Sequence, residues 1–383
     1  MLARLNVAGI QRMRANLASA FLARGFRVDF VVRSSNGPMR GALPEAAEVF
    51  EFGRRGAILS FFDLVRYMRK RAPTHILSAY DDINIMVILA NWLTGSRAAI
   101  LVSTHNALSA VRYEGGLSNR LKYMVILRVL GPLYRRTKAV VAVSHDLASE
   151  LRAFTGLSAD EVRVIHNPVI TTDFSQKCAE GHRLGGVRLM DGPIVGFFGR
   201  FHAQKRVDVL IRAFDLARTK RHCWLMLVGQ GEDEARLRSL CAEIGADQSV
   251  VFHPFEPNPF PLMKRCDVVV LPSDYEGFGN VLIEAMACGT QVISTDCPHG
   301  PAEILEGGRW GQLVKVGDVQ GLAEAIVRSL DKEFWVEEGA LQERGRMFST
   351  EVAATEYLSA LGLAAAGSDG GGERSSSAED ETA

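Results

Sequence analysis

Disulfide and metal chemistry have little to work with in this chain. Its six cysteines (Cys178, Cys223, Cys241, Cys266, Cys288 and Cys297) are scattered, with no C-x-x-C pair and no histidine at metal-binding spacing. That argues against a disulfide scaffold or a zinc module and predicts reduced, inert thiols, as suits a cytoplasmic protein. No apolar run approaches the ~20 residues that cross a bilayer; the longest, around INIMVILANWL, stops well short. There is no D-x-D stretch to hold a divalent metal. Net charge is absent as well, with 44 Lys plus Arg against 44 Asp plus Glu. What remains is the composition of a folded globular protein, 47% hydrophobic and 23% charged, and 383 residues suit two domains of ordinary size.

The zero balance conceals an asymmetry. Residues 1–170 carry 23 basic and 12 acidic side chains, a balance of +11, which leaves 21 basic and 32 acidic, or −11, for the rest. A basic half can face a phosphate-rich surface. Part of it gathers in SNRLKYMVILRVLGPLYRRTKAV, where Arg120, Lys122, Arg128, Arg135, Arg136 and Lys138 interleave with apolar residues. Such a segment reads either as a core-facing helix with a solvated basic side or as a peripheral contact with an anionic membrane, on the inner face of the cytoplasmic membrane. The Arg-rich first 28 residues resemble a presequence in composition but run straight into RVDFVV, so they are expected to be a helix of the fold.

Short β-branched runs alternate with segments of helical period, the pattern of parallel sheets wrapped by helices. RVDFVV, HILSAY, AAILVS and AVVAVS mark the first series, which VRVIHNPVI ends; PIVGFFG, CWLMLVGQG, VVFHPF, DVVVLPS and QVISTD mark the second. The fold class expected is α/β, with two Rossmann-like domains facing each other across a cleft. The expected boundaries are 1–170, a junction at 171–192, 193–363, and a disordered Gly/Ser/acid tail at 364–383. A doubly wound domain normally opens with a buried strand, yet only MLARLNVA precedes Gly9. The first strand is therefore expected to be short or absent, and the start to lie inside a longer coding sequence.

The densest chemistry lies in DYEGFGNVLIEAMACGT. Pro272 ends a buried strand, Asp274 to Gly279 form a loop, and a helix starts near Asn280. Ligands of parallel sheets collect beyond the carboxyl ends of strands. Gly277 and Gly279 open the backbone around Phe278, while Gly279, Asn280 and Val281 place a helix N-terminus where phosphate binds favourably. Glu284, about one turn into the helix, can accept two hydrogen bonds from a vicinal diol such as ribose, and Glu276 reaches another part of the same ligand. In VGFFGRFHAQKRVDVLIRAF, Arg200 and Lys205 follow a strand and can flank a diphosphate, although ordinary surface basics look the same. Gly229 and Gly231 suit either a nucleotide-side loop or a tight strand-to-helix turn. His105 ends a strand, and Ala8-Gly9 sits in the first strand-to-helix loop. Glu303 can favour a helix N-terminus by its charge, Asp81-Asp82 look like helix-entry residues, and His145, His166 and His202 read as structural or peripheral.

Taken together these segments resemble the retaining glycosyltransferases of family four, which have the GT-B fold. The match spans nearly the whole chain before the tail, and its most specific part is the E-x7-E element from Glu276 to Glu284, supported by the G-R…K segment and VIHNPV. The resemblance implies that Arg200 and Lys205 bind a donor diphosphate, Glu284 the ribose hydroxyls, and Glu276 the transferred sugar. Gly277 to Val281 would line the sugar and phosphates through backbone groups. Ala8-Gly9 stands where the family usually has Gly-Gly, and His299 in DCPHGPAEIL where related bacterial enzymes have Ser. The implied activity is metal-independent transfer of a hexosyl or N-acetylhexosaminyl group, with UDP-sugar favoured, to a glycan or polyprenyl-linked acceptor in cell-surface polysaccharide or lipopolysaccharide synthesis. Retention is expected through same-face attack, with Glu276 positioning and stabilising charge and His105 holding the sugar or polarising the acceptor. No cofactor is expected beyond the nucleotide sugar, and no nucleic-acid partner. A sugar-nucleotide epimerase and a non-catalytic GT-B scaffold are the competing readings.

Overall fold

The computed structural model describes residues 9–32, 41, 43–52, 57–105, 128–180 and 191–363. The expected pair of Rossmann-like halves is present. In the first, β1 (Asp29–Val32) pairs in parallel with β2 (Glu48–Glu51), while β3 (His75–Ala79), β4 (Ala99–Thr104), β5 (Ala139–Ala142) and β6 (Val162–Val164) form a parallel sheet in that order. A cavity of about 510 Å³ separates β1 from β3, lined by Phe21, Phe30, Leu64, Met68, Ile76 and Leu77. The expectation of a curtailed first strand concerns residues 1–8, which lie outside the described residues, as do the 364–383 tail and residues 118–127 of the basic segment; the described rest of that segment buries Leu130 and Tyr134 and leaves Arg128, Arg135, Arg136 and Lys138 exposed.

In the second half, β7 (Ile194–Phe198), β8 (Trp224–Val228), β9 (Val250–His253), β10 (Val268–Leu271), β11 (Gln291–Thr295) and β12 (Gln312–Val314) form one parallel sheet. Its order is β12-β11-β10-β7-β8-β9. The chain winds outward from β7 in one direction, returns, and starts again from β10 in the other. A crevice therefore opens between the carboxyl ends of β7 and β10, the topological switch point where ligands of such sheets bind. These strands are continuous apolar runs because helices cover both faces; every residue of β7 and of β10 is buried. Gly196 on β7 lies opposite Val269 of β10, and a Cβ there would come within 2.5 Å of the Cys266 sulfur, so the pairing at the switch point needs glycine.

Two features depart from the sequence expectation. The junction at 171–192 contains a short helix, Phe174–Ala179, whose Phe174 ring packs 4.7 Å from Phe260 of the second half. The stretch 193–363 is not one packing unit either. Its last helix, Thr350–Leu361, crosses back to the first half, where Ala354, Tyr357, Leu358 and Leu361 share a core with Leu17, Phe21, Leu101 and Val141. Helical period in a sequence shows which face is apolar but not which core receives it.

Candidate active site

The loop after β7 and the loop after β10 are stitched together by backbone and side-chain hydrogen bonds. The Asp274 N–H donates to the Gln204 carbonyl at 3.0 Å, Gln204 Nε2 donates to the Tyr275 carbonyl at 2.7 Å, and Arg206 bonds Asp274 at 3.0 Å. Lys205 closes a single 3-10 turn, Ala203–Lys205, and its Nζ donates to Glu276 Oε1 at 2.5 Å. Ser273 Oγ donates to the same oxygen at 2.6 Å. Glu276 is buried. A carboxylate taken out of water at that position requires these partners, and a buried pair of this kind is weak evidence for stability alone.

Gly279 adopts φ 102°, a left-handed turn that starts the helix Asn280–Ala287. The preceding loop is wedged from behind: a Cβ on Gly300 would lie 1.8 Å from the Phe278 carbonyl oxygen, and the Glu276 N–H donates to the Pro298 carbonyl at 3.3 Å. One turn into the helix, Glu284 is buried and faces Arg12 of the first half, whose Nη1 lies 3.2 Å from Oε1. Burial pushes the Glu284 carboxyl above the ordinary carboxylate range, and the Arg12 guanidinium pulls it partly back. The eight-residue interval thus puts both buried acids beyond the carboxyl end of β10, each matched by a cation from another element. Arg200, just after β7, is exposed.

The other candidates fall elsewhere. The Phe278 ring is buried and stacks on His166 at 5.3 Å, so any sugar contact there would come from its backbone. Gly229 and Gly231 pack against the β7 loop. Added Cβ atoms would sit 1.9 Å from the Gly199 oxygen and 2.1 Å from the Phe201 oxygen, so close backbone approach already requires both glycines. Gly9 opens the first helix, Gly9–Ala23, and Ala8 lies outside the described residues. His105 is buried in the first half beside Arg14, its Nε2 2.9 Å from Ser103 Oγ. Burial and the neighbouring Arg14 charge lower its pKa to about 3, partly offset by Asn167, so its imidazole is neutral. Asn167, in HNP, donates to Asn280 Oδ1 at 3.0 Å and links the first half to the start of the Glu284 helix. His105 Nδ1 and Asn167 Oδ1 are both buried without a partner.

Sequence reasoning missed a second contact between the halves. Glu303 accepts from His166 Nε2 at 2.6 Å and from the His145 N–H at 2.8 Å. It does meet a helix N-terminus, but that of His145–Thr155 in the other half. Burial would raise the Glu303 pKa; the His166 bond and the His145 amide outweigh it and hold the carboxyl below its usual range. His145 and His166 are therefore part of the joint between halves. Asp81 starts the helix Asp81–Thr94 and accepts from Tyr134 Oη at 3.0 Å, a structural placement. His202 caps the Lys205 turn, its Nδ1 accepting from the Gln204 N–H.

Comparison with known proteins agrees with this organisation. Residues 7–173 match the family model for glycosyltransferase family 4, and residues 192–332 match that for glycosyl transferases group 1. The chain is 27% identical over 367 residues to the lipopolysaccharide core biosynthesis glycosyltransferase LpsE of Rhizobium meliloti, covering 92% of this chain and 95% of that one. It is 26% identical over 217 residues, 57% of each chain, to the N-acetylgalactosamine-N,N'-diacetylbacillosaminyl-diphospho-undecaprenol 4-alpha-N-acetylgalactosaminyltransferase of Campylobacter jejuni. Among solved structures, Anabaena Alr3699/HepE in complex with UDP and glucose has a TM-score of 0.74 at 21% identity, covering 94% of this chain and all of that one.

Proposed function

We propose, from the premise that the chain is a GT-B glycosyltransferase belonging to family 4 in its first half and to group 1 in its second, that it moves a hexosyl or N-acetylhexosaminyl group from a UDP-sugar to a glycan or polyprenyl-linked acceptor, with retention and without a metal. The supporting observation is the pairing of Glu276 with Lys205 and of Glu284 with Arg12 beyond the carboxyl end of β10, next to the β7/β10 switch point. Each carboxylate is paired with a cation that can change partners when an anionic donor arrives.

On donor entry the diphosphate takes Lys205, with Arg200 and the amides of Gly279 to Val281 completing the anion site. Glu276, released from Lys205, accepts hydroxyls of the transferred sugar, and Glu284 accepts the ribose diol in place of Arg12. As the glycosidic bond to the phosphate breaks, negative charge grows on the leaving diphosphate. Lys205 and the helix amides stabilise that charge more than they stabilise the bound donor, which is the condition for catalysis. The acceptor hydroxyl attacks from the same face, and the leaving phosphate oxygen takes its proton. Glu276 stabilises the developing positive charge on the sugar ring without forming a bond to it. His105, neutral, positions the sugar from the first half, where Asn167 bonds Asn280 at the start of the Glu284 helix.

Lipopolysaccharide or related cell-surface glycan synthesis is the setting this reading favours, since LpsE acts there by its name and the Campylobacter jejuni enzyme acts on a diphospho-undecaprenol-linked sugar. The test is a panel of UDP-, GDP- and ADP-sugars, read by released nucleoside diphosphate in the presence of chelator, with polyprenyl-diphosphate-linked and free glycan acceptors. The expected result is chelator-insensitive release dependent on an acceptor, with the product anomer matching the donor. A product of inverted anomeric configuration, a metal requirement, or epimerised sugar nucleotide from donor alone would each reject it.

A further inference from the structure

Cys178 and Cys288 lie 110 residues apart in sequence and bring their sulfurs within 3.9 Å of each other as free thiols. Each sits on a mechanically important element. Cys178 is on the junction helix Phe174–Ala179, and Cys288 ends the helix that carries Glu284, its N–H bonded to the Glu284 carbonyl at 3.2 Å. Both sulfur-bearing residues line a cavity of about 460 Å³ together with Lys264 and Arg346. Cys178 is half-buried and Cys288 fully buried, so a reagent in that cavity reaches Cys178 first.

The two thiols are also electronically unequal. The Cys288 contact lowers the Cys178 pKa against its burial, helped by the Lys264 charge, whereas Cys178 and burial raise that of Cys288. Burial raises the thiol pKa of Cys223, Cys241, Cys266 and Cys297. A half-buried thiol of lowered pKa beside a second thiol can enter thiol–disulfide exchange through a mixed disulfide that the second thiol resolves. A disulfide needs the sulfurs at about 2 Å. The approach required is small for a six-residue helix whose N-terminus makes no side-chain cap bond.

We propose that Cys178 and Cys288 form a dithiol–disulfide pair whose oxidation ties the inter-domain junction to the Glu284 helix. The oxidant is a low-molecular-weight disulfide such as oxidised glutathione. The Cys178 thiolate attacks one of its sulfurs, forming a mixed disulfide and expelling one glutathione thiolate. Cys288 then attacks the Cys178 sulfur, its proton passing to the second departing glutathione. The protein has lost two electrons and two protons, and one small disulfide has become two thiols.

The test uses the full chain, reduced and then equilibrated natively in graded ratios of oxidised to reduced glutathione, alkylated and peptide-mapped. The expected result is a cross-linked Cys178–Cys288 peptide reversed by dithiothreitol, with the other four cysteines alkylating only after unfolding. In Cys178→Ser, Cys288 should stay reduced under the same conditions. A glutathione adduct retained on Cys178 with Cys288 free, or random pairing among the six, would overturn the assignment. This readout is independent of the donor reading. For the mechanical consequence, acceptor-dependent nucleoside diphosphate release should fall severalfold on oxidation, recover with dithiothreitol, and be unresponsive in Cys178→Ser. Equal turnover of oxidised and reduced protein would overturn that coupling.

Discussion

Burial gives Glu284 a titration that can be read from outside. Its folded pKa is raised, so the contribution of its neutral form to stability is present below the unfolded value of about 4.3 and is lost as pH rises through the folded value. Donor binding has the opposite sign because the ribose diol needs the carboxylate. Nucleoside diphosphate affinity should therefore fall on acidification at a pH above the ordinary carboxylate range, and Glu284→Gln should remove that limb while weakening binding by about 10–100-fold, the equivalent of one or two charged hydrogen bonds. Arg12→Gln should move the limb to higher pH, since Arg12 opposes the burial effect; calorimetric titrations across pH check all three. Glu276 answers a different measurement. Glu276→Gln keeps the shape but loses the negative charge beside the reacting sugar, so turnover should drop by about 10²–10³-fold with diphosphate affinity within a few-fold of the parent. Equal losses in both quantities would mean that Glu276 only folds the loop around Lys205.

Loops that hold a helix terminus in place act as a unit. Gly300 has φ 118°, and a Cβ there would strike the Phe278 carbonyl. Gly245 has φ 66° and open space around the same position. Gly245→Ala should cost about 1 kcal/mol from backbone strain alone, whereas Gly300→Ala should cost roughly 2–4 kcal/mol in urea unfolding and also abolish diphosphate binding. The same elements explain what the sequence revealed. The strands β7 and β10 are buried on both faces, so they appear as unbroken apolar runs, and the two acids bracketing a glycine turn are legible because the turn chemistry is local. β2, with sequence EVFE, lies exposed at a two-stranded edge and carries charge at both ends, so its strand period was hidden. The burial of the Phe278 ring is not legible, because a loop aromatic between glycines gives no sign that His166, distant in sequence, covers it. The partner of Glu303 was unreadable for the same reason: the helix it caps begins 158 residues earlier.

The basic first half and acidic second half meet through a few ionic contacts, and most follow the charge asymmetry. Arg12 reaches Glu284, and His145 with His166 reaches Glu303; Glu150 with His299 runs the other way. Glu303 has a lowered folded pKa, so its contribution to stability is present above the unfolded value of about 4.3 and disappears as pH falls through the folded one. Glu303→Ala should cost about 1–3 kcal/mol at neutral pH, and the difference from the parent should vanish in acid. The apolar strap is the larger tie. Tyr357 and Leu358 come from the chain's far end yet are buried against the first helix and β4. Tyr357→Ala leaves a cavity between them and also removes the ring that Arg14 faces at 5.8 Å. That variant should lose about 3–5 kcal/mol, and hydrogen exchange should locate the loss in β4, β5 and the Gly9–Ala23 helix, with β7 to β10 protected as before. Exchange rising instead in the second sheet would show that the last helix belongs to the half from which its sequence continues.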